Sequence, residues 1–190
     1  MSNFKLVLGS KSPRRQALIK ELGFPVEIRT KEVEEIYPED LPASDVPEFL
    51  AKLKASPLVE SLKDDEILVT SDTIVVLNGE VIGKPADAEA AKHMISQLSG
   101  NAHTVITGVC LTSKGKRHTF SSKTNVFFSE LSTEEIDHYV DTFKPMDKAG
   151  SYGIQEWIGY IGVSRIEGCY YNVMGLPLHD LYRNIKSKLL

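Results

Sequence analysis

The sequence predicts an α/β fold: a mixed, twisted sheet with flanking helices. Three observations support this prediction. Short β-branched stretches alternate with segments of helical spacing along the whole chain. The dipeptide Asn78-Gly79 is a strong hairpin signal, so the sheet is not purely parallel. The length of 190 residues suits one compact domain, and we expect a single domain over residues 1–190.

The first half of the chain is predicted to begin with a strand over Leu6–Leu8 and a loop. Ser12 and Pro13 then fit the N-cap and first turn of a helix that stops near Gly23. The next predicted elements follow in this order: a strand over 26–28, a loop over the acidic residues 31–43, a helix from about 47 towards 62 capped by Ser44 or Asp45, and strands over 67–69 and 74–77 around Thr70-Ser71-Asp72-Thr73.

The second half continues the alternation of helices and strands. Ser132 and Glu135 form a capping box at the start of a short helix. The other predicted elements are a helix from the Asp87 cap to about Leu98, strands over 105–112 and 119–129, a glycine- and aromatic-rich site loop over 150–162 that runs into a strand, and a last helix from Leu178.

Composition and charge exclude several classes of protein. The formal net charge of −4 and the pI near 5.8 argue against binding a nucleic acid polymer through a basic surface. Cys110 and Cys169 form neither a disulfide framework nor a CxxC metal pattern, which favours a reducing compartment. No apolar run approaches the length of a membrane span, and residues 6–8 are too short for a signal-peptide core. We therefore expect a cytoplasmic protein without a membrane partner.

A first candidate site is the segment Gly9-Ser10-Lys11-Ser12-Pro13-Arg14-Arg15, where a strand feeds a loop that opens a helix. Free N–H groups at a helix N-terminus favour anions, and arginine can bind phosphate oxygens through two N–H groups. The alternative is a surface helix start whose basic residues pair with nearby acids. The segment lacks the GxxxxGK[ST] spacing of a Walker A loop.

Asp72 is a second candidate because it interrupts an apolar stretch. A buried carboxylate is costly unless it is paired or binds a metal. At the end of a buried strand, where α/β proteins commonly place ligands, Asp72 would serve as a general base for water, a metal ligand, or both. The alternative is a turn aspartate between two strands.

Further charged residues are more often solvated than functional when taken singly. They are Glu34 and Glu35 in the acidic loop, Lys54 on a predicted helix, and Lys84 in Gly83-Lys84-Pro85. Together with Asp72 they make a workable set for phosphate and magnesium, because Mg²⁺ takes one or two carboxylates and completes its shell with water and substrate phosphates.

The segment from Asp147 to Gln155 is a fourth candidate. Gly150 and Gly153 allow the backbone to approach a ligand closely. The planar amide of Gln155 offers a donor and an acceptor, which suits the edge of a pyrimidine. The alternative is a tight loop whose glutamine satisfies backbone groups.

Taken together, these motifs resemble those of the Maf proteins, a branch of the Maf and inosine-triphosphatase-like superfamily. The resemblance spans residues 8 to about 182. It rests on Ser10-Lys-Ser-Pro-Arg-Arg15, Ser71-Asp-Thr-Ile-Val75, Gly83-Lys-Pro85, Leu98-Ser-Gly100, Thr107-Gly-Val109, Asp147-Lys-Ala-Gly150, Tyr152-Gly-Ile-Gln155 and Asn172-Val-Met-Gly-Leu-Pro177. The chain departs from the pattern at Glu156-Trp157, where similar proteins often have glycine, and at Leu53, where glutamate is common.

The resemblance implies roles for individual residues. Asp72 falls on the position of the family's proton acceptor. Substrate choice is linked to the positions of Arg14, Thr73 and Gln155. Phosphate binding is linked to the positions of Ser10, Arg14, Arg15, Lys54 and Lys84, and a metal to those of Glu35 and Asp72.

The activity implied by the resemblance is that of a nucleoside triphosphate pyrophosphatase. Its cofactor would be a divalent cation, Mg²⁺ or Mn²⁺, its substrates dTTP and UTP or modified pyrimidine nucleotides, and its role the house-cleaning of nucleotide pools. The form Tyr-Gly-Ile-Gln resembles the subgroup that acts on dTTP and UTP. Two alternatives stay open: a nucleotide-binding regulator of septum formation, and a pyrophosphatase preferring purine or methylated nucleotides. The resemblance also implies two lobes around a central cleft, and it suggests a homodimer.

Overall fold

The computed structural model describes residues 4–189, and the side chains of residues 4–187. The strands are β1 (Lys5–Leu8), β2 (Val26–Ile28), β3 (Glu66–Leu77), β4 (Glu80–Ile82), β5 (Ala102–Ser113), β6 (Lys116–Phe128) and β7 (Val163–Glu167). The α-helices are α1 (Pro13–Lys20), α2 (Val46–Ala55), α3 (Ala88–Leu98), α4 (Thr133–Phe143), α5 (Trp157–Gly162), α6 (Tyr170–Val173) and α7 (Leu178–Asn184). Short 3₁₀ turns cover Ser56–Ser61 and Ala149–Ser151, and a π turn covers Ile185–Leu189.

The strands form one mixed sheet, which confirms the predicted fold class. Its order is β2-β1-β3-β5-β6-β7, and β4 pairs with β3 as an additional strand. Strand β1 is parallel to β2 and β3, whereas β4 is antiparallel to β3 and β7 is antiparallel to β6. Because Leu8 lies beside Val69 in the β1–β3 register, the loop that follows β1 begins next to the polar middle of β3.

The chain clusters into two compact units. Unit 1 holds the described residues of 1–73, 107–122 and 175–190, and unit 2 holds those of 74–106 and 123–174. Unit 1 contains an apolar cluster between α2 and the sheet, with Val7, Ala51, Leu58 and Leu68 among its members. Unit 2 has its own larger cluster, which includes the fully buried ring of Tyr139. The predicted single domain and the predicted cleft remain predictions.

The prediction of two strands around Thr70-Ser71-Asp72-Thr73 is wrong. Strand β3 runs unbroken from Glu66 to Leu77, so Asp72 lies in mid-strand, neither at a strand end nor in a turn. The polar side chains are tolerated there because they have partners: the Thr70 hydroxyl donates to the Ala51 carbonyl at 2.7 Å, and Asp72 is paired with a lysine.

The helix predicted towards residue 62 ends earlier, at Ala55, and continues as a 3₁₀ turn. Pro57 explains this end, because it lacks the N–H that the next helical turn requires. Asp45 occupies the N-cap position, but its side chain does not cap the helix. The predicted loop over 150–162 is also wrong in part, since Trp157–Gly162 forms α5. Within the described residues, no helix is long and apolar enough to cross a membrane.

Candidate active site

The loop between β1 and α1 folds closely over β3. A Cβ on Gly9 would lie 2.6 Å from the Thr70 methyl group, so only glycine allows this approach. The Ser12 hydroxyl caps α1 by accepting from the Arg15 N–H at 3.4 Å, as predicted, and the Ser10 hydroxyl accepts from the Ser12 N–H at 3.2 Å. Both hydroxyls therefore organise the start of the helix that carries the two arginines.

Arg15 is anchored within unit 1 by its own guanidinium. Its Nε donates to the Gly175 carbonyl at 2.8 Å, and Nη1 donates to the Ser71 carbonyl at 2.9 Å. Its Nη2 donates to the Thr73 hydroxyl at 2.9 Å. Burial lowers the pKa of Arg15, while the nearby Asp72 carboxylate acts in the opposite direction. Three donors are thus committed to the protein, and the positive charge is fixed along the strand segment on either side of Asp72.

Asp72 forms an ion pair with Lys54 of α2. The Lys54 ammonium lies 2.6 Å from Asp72 Oδ1 and 3.1 Å from Glu35 Oε1. The Lys54 and Asp72 side chains are mostly buried, at 16% and 12% exposure, whereas Glu35 is 47% exposed. Of the two acidic-loop residues considered, Glu35 is thus the one that contacts Lys54. An aspartate, a lysine and an arginine, all among the predicted site residues, therefore meet at one strand segment.

Whether this group fits a divalent cation depends on its donors. In the described part of the chain, no three His, Cys, Asp or Glu side chains are close enough to hold a metal ion. The Glu35 and Asp72 carboxylates contact the same ammonium, so their oxygens cannot be further apart than the two Lys54 distances added together. Two carboxylates match the donor set that Mg²⁺ takes when substrate phosphates and waters complete the shell. The residues therefore fit a metal that arrives with a phosphate ligand.

Two further predicted residues, Thr73 and Arg14, belong to the same unit. The Thr73 hydroxyl is shared between Arg15 and the Thr107 hydroxyl, which lies at 2.9 Å on β5. Arg14 occupies the first turn of α1 and is partly exposed. Sequence reasoning missed Thr107 and the Gly175 carbonyl as partners of this group, although both lie within motifs that carry the family resemblance.

The remaining predicted residues, Lys84 and Gln155, belong to unit 2. Lys84 is exposed and follows β4, while Gln155 lies in the turn before α5. Their segments are joined by a hydrogen bond in which the Gly150 N–H donates to the Gly83 carbonyl at 3.0 Å. Their roles in phosphate and base binding stay predictions.

The space beside Gly153, predicted from the sequence to admit a ligand, is occupied by the Glu156 side chain. A Cβ at this position would lie 2.6 Å from Cδ of Glu156, whose carboxylate covers it. The Glu156 carboxylate in turn contacts Tyr139 and Lys148. Sequence reasoning missed these contacts, although the unusual Glu156-Trp157 step marked the place.

Comparison with known proteins identifies close relatives of this chain. The relative from Phocaeicola vulgatus, named dTTP/UTP pyrophosphatase, is 50% identical over 188 residues, covering 98% of this chain and 97% of the relative. Relatives of the same name from Christiangramia forsetii and Flavobacterium psychrophilum are 47% and 49% identical, covering 100% and 95% of this chain and 96% and 92% of their own lengths.

Solved structures of similar fold are more distant in sequence. The Staphylococcus aureus Ham1 protein matches with a TM-score of 0.57 and 15% identity, over 97% of this chain and 99% of that one. A HAM1 protein from Coxiella burnetii matches with a TM-score of 0.54 and 14% identity, over 96% and 98% of the two chains. At this identity the likeness concerns the fold alone.

The resemblance inferred from the motifs is confirmed by a family model. The model described as Maf-like protein matches residues 5–188, nearly the whole chain. The chain therefore belongs to the family of Maf-like proteins.

Proposed function

We propose that this chain is a nucleoside triphosphate pyrophosphatase that hydrolyses dTTP and UTP between the α- and β-phosphates, releasing a nucleoside monophosphate and pyrophosphate. The observation that carries the proposal is the full-length identity of 46–50% to relatives named dTTP/UTP pyrophosphatase. The charged group around Asp72 supplies the chemical support, because it combines a carboxylate with fixed positive charges.

In the proposed reaction Asp72 is the general base. The oxygen of a water molecule attacks the α-phosphorus, and the water's proton passes to the Asp72 carboxylate. The bond from the α-phosphorus to the bridging oxygen breaks, and its electron pair leaves with pyrophosphate. Lys54 holds the carboxylate in place before substrate binds, since its ammonium lies 2.6 Å from Asp72 Oδ1.

Positive charge is the second contribution of the chain. Phosphoryl transfer depends mainly on positioning and on neutralising the charge of the phosphates. Arg14, Arg15 and Lys54 would supply that charge, with the N–H groups at the start of α1. Arg15 acts chiefly as a fixed positive charge, because three of its donors are already bound to the protein.

Glu35 and Asp72 would hold a divalent cation, Mg²⁺ or Mn²⁺, together with phosphate oxygens of the substrate. Bound there, the cation would polarise the phosphoryl group and neutralise its charge. A triphosphate would draw the Lys54 ammonium towards its own oxygens and leave both carboxylates available. Activity is therefore expected to require the cation.

A cytoplasmic location and a homodimer complete the proposal. Both described cysteines are free thiols, in keeping with a reducing compartment. The homodimer rests on family likeness, and sedimentation of the purified protein would test it.

The test of the proposed function is a panel of dTTP, UTP, CTP, dATP, GTP and methylated nucleotides with Mg²⁺ or Mn²⁺. We expect dTTP and UTP to be hydrolysed best and to yield pyrophosphate. In ¹⁸O-labelled water, the label should enter the monophosphate, because the α-phosphorus is attacked. Release of orthophosphate, or label in pyrophosphate, would contradict the reaction, whereas a purine preference would contradict only the choice of substrate.

A further inference from the structure

A hydrogen-bonded network in unit 2 surrounds the turn that carries Gln155. At its centre is the hydroxyl of Tyr139 on α4, a residue with no exposed surface. This hydroxyl accepts from the Gly153 N–H at 3.0 Å and donates to the Glu156 carboxylate. The other oxygen of that carboxylate contacts the Lys148 ammonium at 3.2 Å. One phenol therefore holds the residues on both sides of the Ile154-Gln155 pair.

The turn itself is closed by backbone hydrogen bonds. The Glu156 N–H donates to the Gly153 carbonyl at 2.9 Å, and the Gly159 N–H donates to the Glu156 carbonyl at 2.9 Å. The Tyr160 hydroxyl donates to the Gln155 carbonyl at 2.7 Å. The Gln155 carbonyl and the residues on either side of Ile154-Gln155 are thus restrained, so the direction in which the Gln155 side chain leaves the turn is set by this network.

The Gln155 side chain itself is not used by the fold. Within residues 4–189 its amide makes no hydrogen bond, although the turn around it is densely bonded. A rigid backbone that presents an unused donor and acceptor is the arrangement expected of a recognition group, because little conformational entropy is lost when a ligand binds it.

We propose that Tyr139 and Glu156 are positioning residues that orient the Gln155 amide towards the pyrimidine base, and that Lys148 holds the Glu156 carboxylate in place. The inference rests on the proposed function and deepens it, since it states how this chain fixes the group that selects the base. Neither side chain is expected to touch the reacting phosphates.

The local chemistry supports this arrangement. Burial and the Glu156 carboxylate both raise the pKa of Tyr139, so the phenol stays protonated and remains a donor. Gly153 leaves room for the carboxylate, because a Cβ there would lie 2.8 and 2.9 Å from its two oxygens. The carboxylate thus occupies a place that only glycine at position 153 leaves open.

A double-mutant cycle with Tyr139→Phe and Gln155→Ala tests the proposal. We expect Tyr139→Phe to raise KM for dTTP about three- to tenfold, the range of one lost hydrogen bond, with kcat changed less than about twofold. In the Gln155→Ala background the same substitution should change KM less than about twofold. An unchanged KM in the wild-type background, or an equal rise in both backgrounds, would overturn the proposal.

Substitutions at Glu156 give an independent version of the test that leaves the core tyrosine intact. Glu156→Gln retains an oxygen that accepts from Tyr139 but loses the charge that pairs with Lys148, so it should raise KM less than Glu156→Ala, which should raise it as Tyr139→Phe does. Thr124→Val is the matched control, because it removes a buried hydroxyl of unit 2 that bonds to Cys169 and Asn172. If Tyr139→Phe, Glu156→Gln, Glu156→Ala and Thr124→Val all raise KM equally, the network has only a structural role and the proposal is overturned.

Binding can also be followed without turnover. Trp157 is the only tryptophan in the chain and directly follows Glu156. Its fluorescence can report the dissociation constant of an α,β-non-hydrolysable dTTP analogue. Tyr139→Phe should weaken this binding by the same factor as KM. If the wild type binds the analogue but releases no pyrophosphate from dTTP, the proposed function is refuted and the positioning role stands. If dTTP is hydrolysed but the effect of Tyr139→Phe does not depend on Gln155, the positioning role is refuted and the proposed function stands.

Discussion

The substitution Arg15→Lys distinguishes two possible roles of Arg15: stabilising the fold and only binding phosphate. In the structure the guanidinium donates to the Ser71 carbonyl, the Thr73 hydroxyl and the Gly175 carbonyl, at 2.8–2.9 Å. A lysine keeps the charge but cannot reproduce this planar fork of donors. The substitution should therefore destabilise the protein even when no nucleotide is present.

The size of the effect follows from the hydrogen bonds lost. A hydrogen bond from a charged donor contributes about 1.5–3 kcal/mol, and a lysine ammonium would recover one of the three. Two lost bonds give an expected loss of at least about 3 kcal/mol in the free energy of unfolding, which is a fall of at least about 6 °C in the melting temperature for a chain of this length.

Thermal melting of the nucleotide-free protein by circular dichroism measures this effect. Arg117→Lys is the matched control, because Arg117 lies in the same unit, is exposed and has a side chain that makes no hydrogen bond among the described residues. It should melt within about 1 °C of wild type. If the nucleotide-free Arg15→Lys protein has the same melting temperature as wild type, and only its nucleotide affinity falls, then Arg15 is a phosphate ligand and does not anchor the fold.

Two further predictions concern stability. In Gly108→Ala the new Cβ would lie 2.3 Å from backbone atoms of Pro47 and Glu48, which cannot give way, so urea unfolding should show a loss of at least about 2 kcal/mol; a wild-type midpoint would contradict this packing. Arg29 lowers the pKa of buried Glu66 to about 2, so stability present above the unfolded pKa near 4.5 is lost as pH falls towards 2. Between pH 7 and pH 3 this loss should be about 2 kcal/mol, and Glu66→Gln should abolish that share of the acid dependence; an unaltered dependence would exclude Glu66 as its source.

Local signals explain what the sequence predicts well. The Ser12 cap, the capping box of Ser132 and Glu135, and the Asn78-Gly79 turn each depend on residues within a few positions of one another. Such contacts form in any context that allows the local backbone conformation, so residue type and spacing are sufficient to predict them.

Other features depend on partners far away in the sequence. Strand β3 is unbroken at its polar centre because Ala51 and Lys54 of α2 satisfy Thr70 and Asp72. Arg15 binds groups that lie 56 to 160 positions further along the chain. A single sequence carries no local signal for these pairings, and strand propensity alone argued for a break that tertiary hydrogen bonds prevent.

The candidate site could be predicted only in part, because some of its contacts also join residues that are far apart in the sequence. Family motifs brought Asp72, Lys54 and Glu35 into one hypothesis, and in the structure both carboxylates contact the Lys54 ammonium. The support for Gln155 was not predicted, because Tyr139 is an ordinary core position of α4 in the sequence pattern and reveals its hydroxyl's role only through contacts in three dimensions.

The rate of pyrophosphate release from dTTP by Asp72→Asn tests the central claim most directly. Asparagine keeps an oxygen that can accept from Lys54, so circular dichroism should show a folded protein. We predict a rate at least about a hundredfold below wild type, the lower limit for loss of a general base. A folded Asp72→Asn protein that releases pyrophosphate at the wild-type rate would contradict the account.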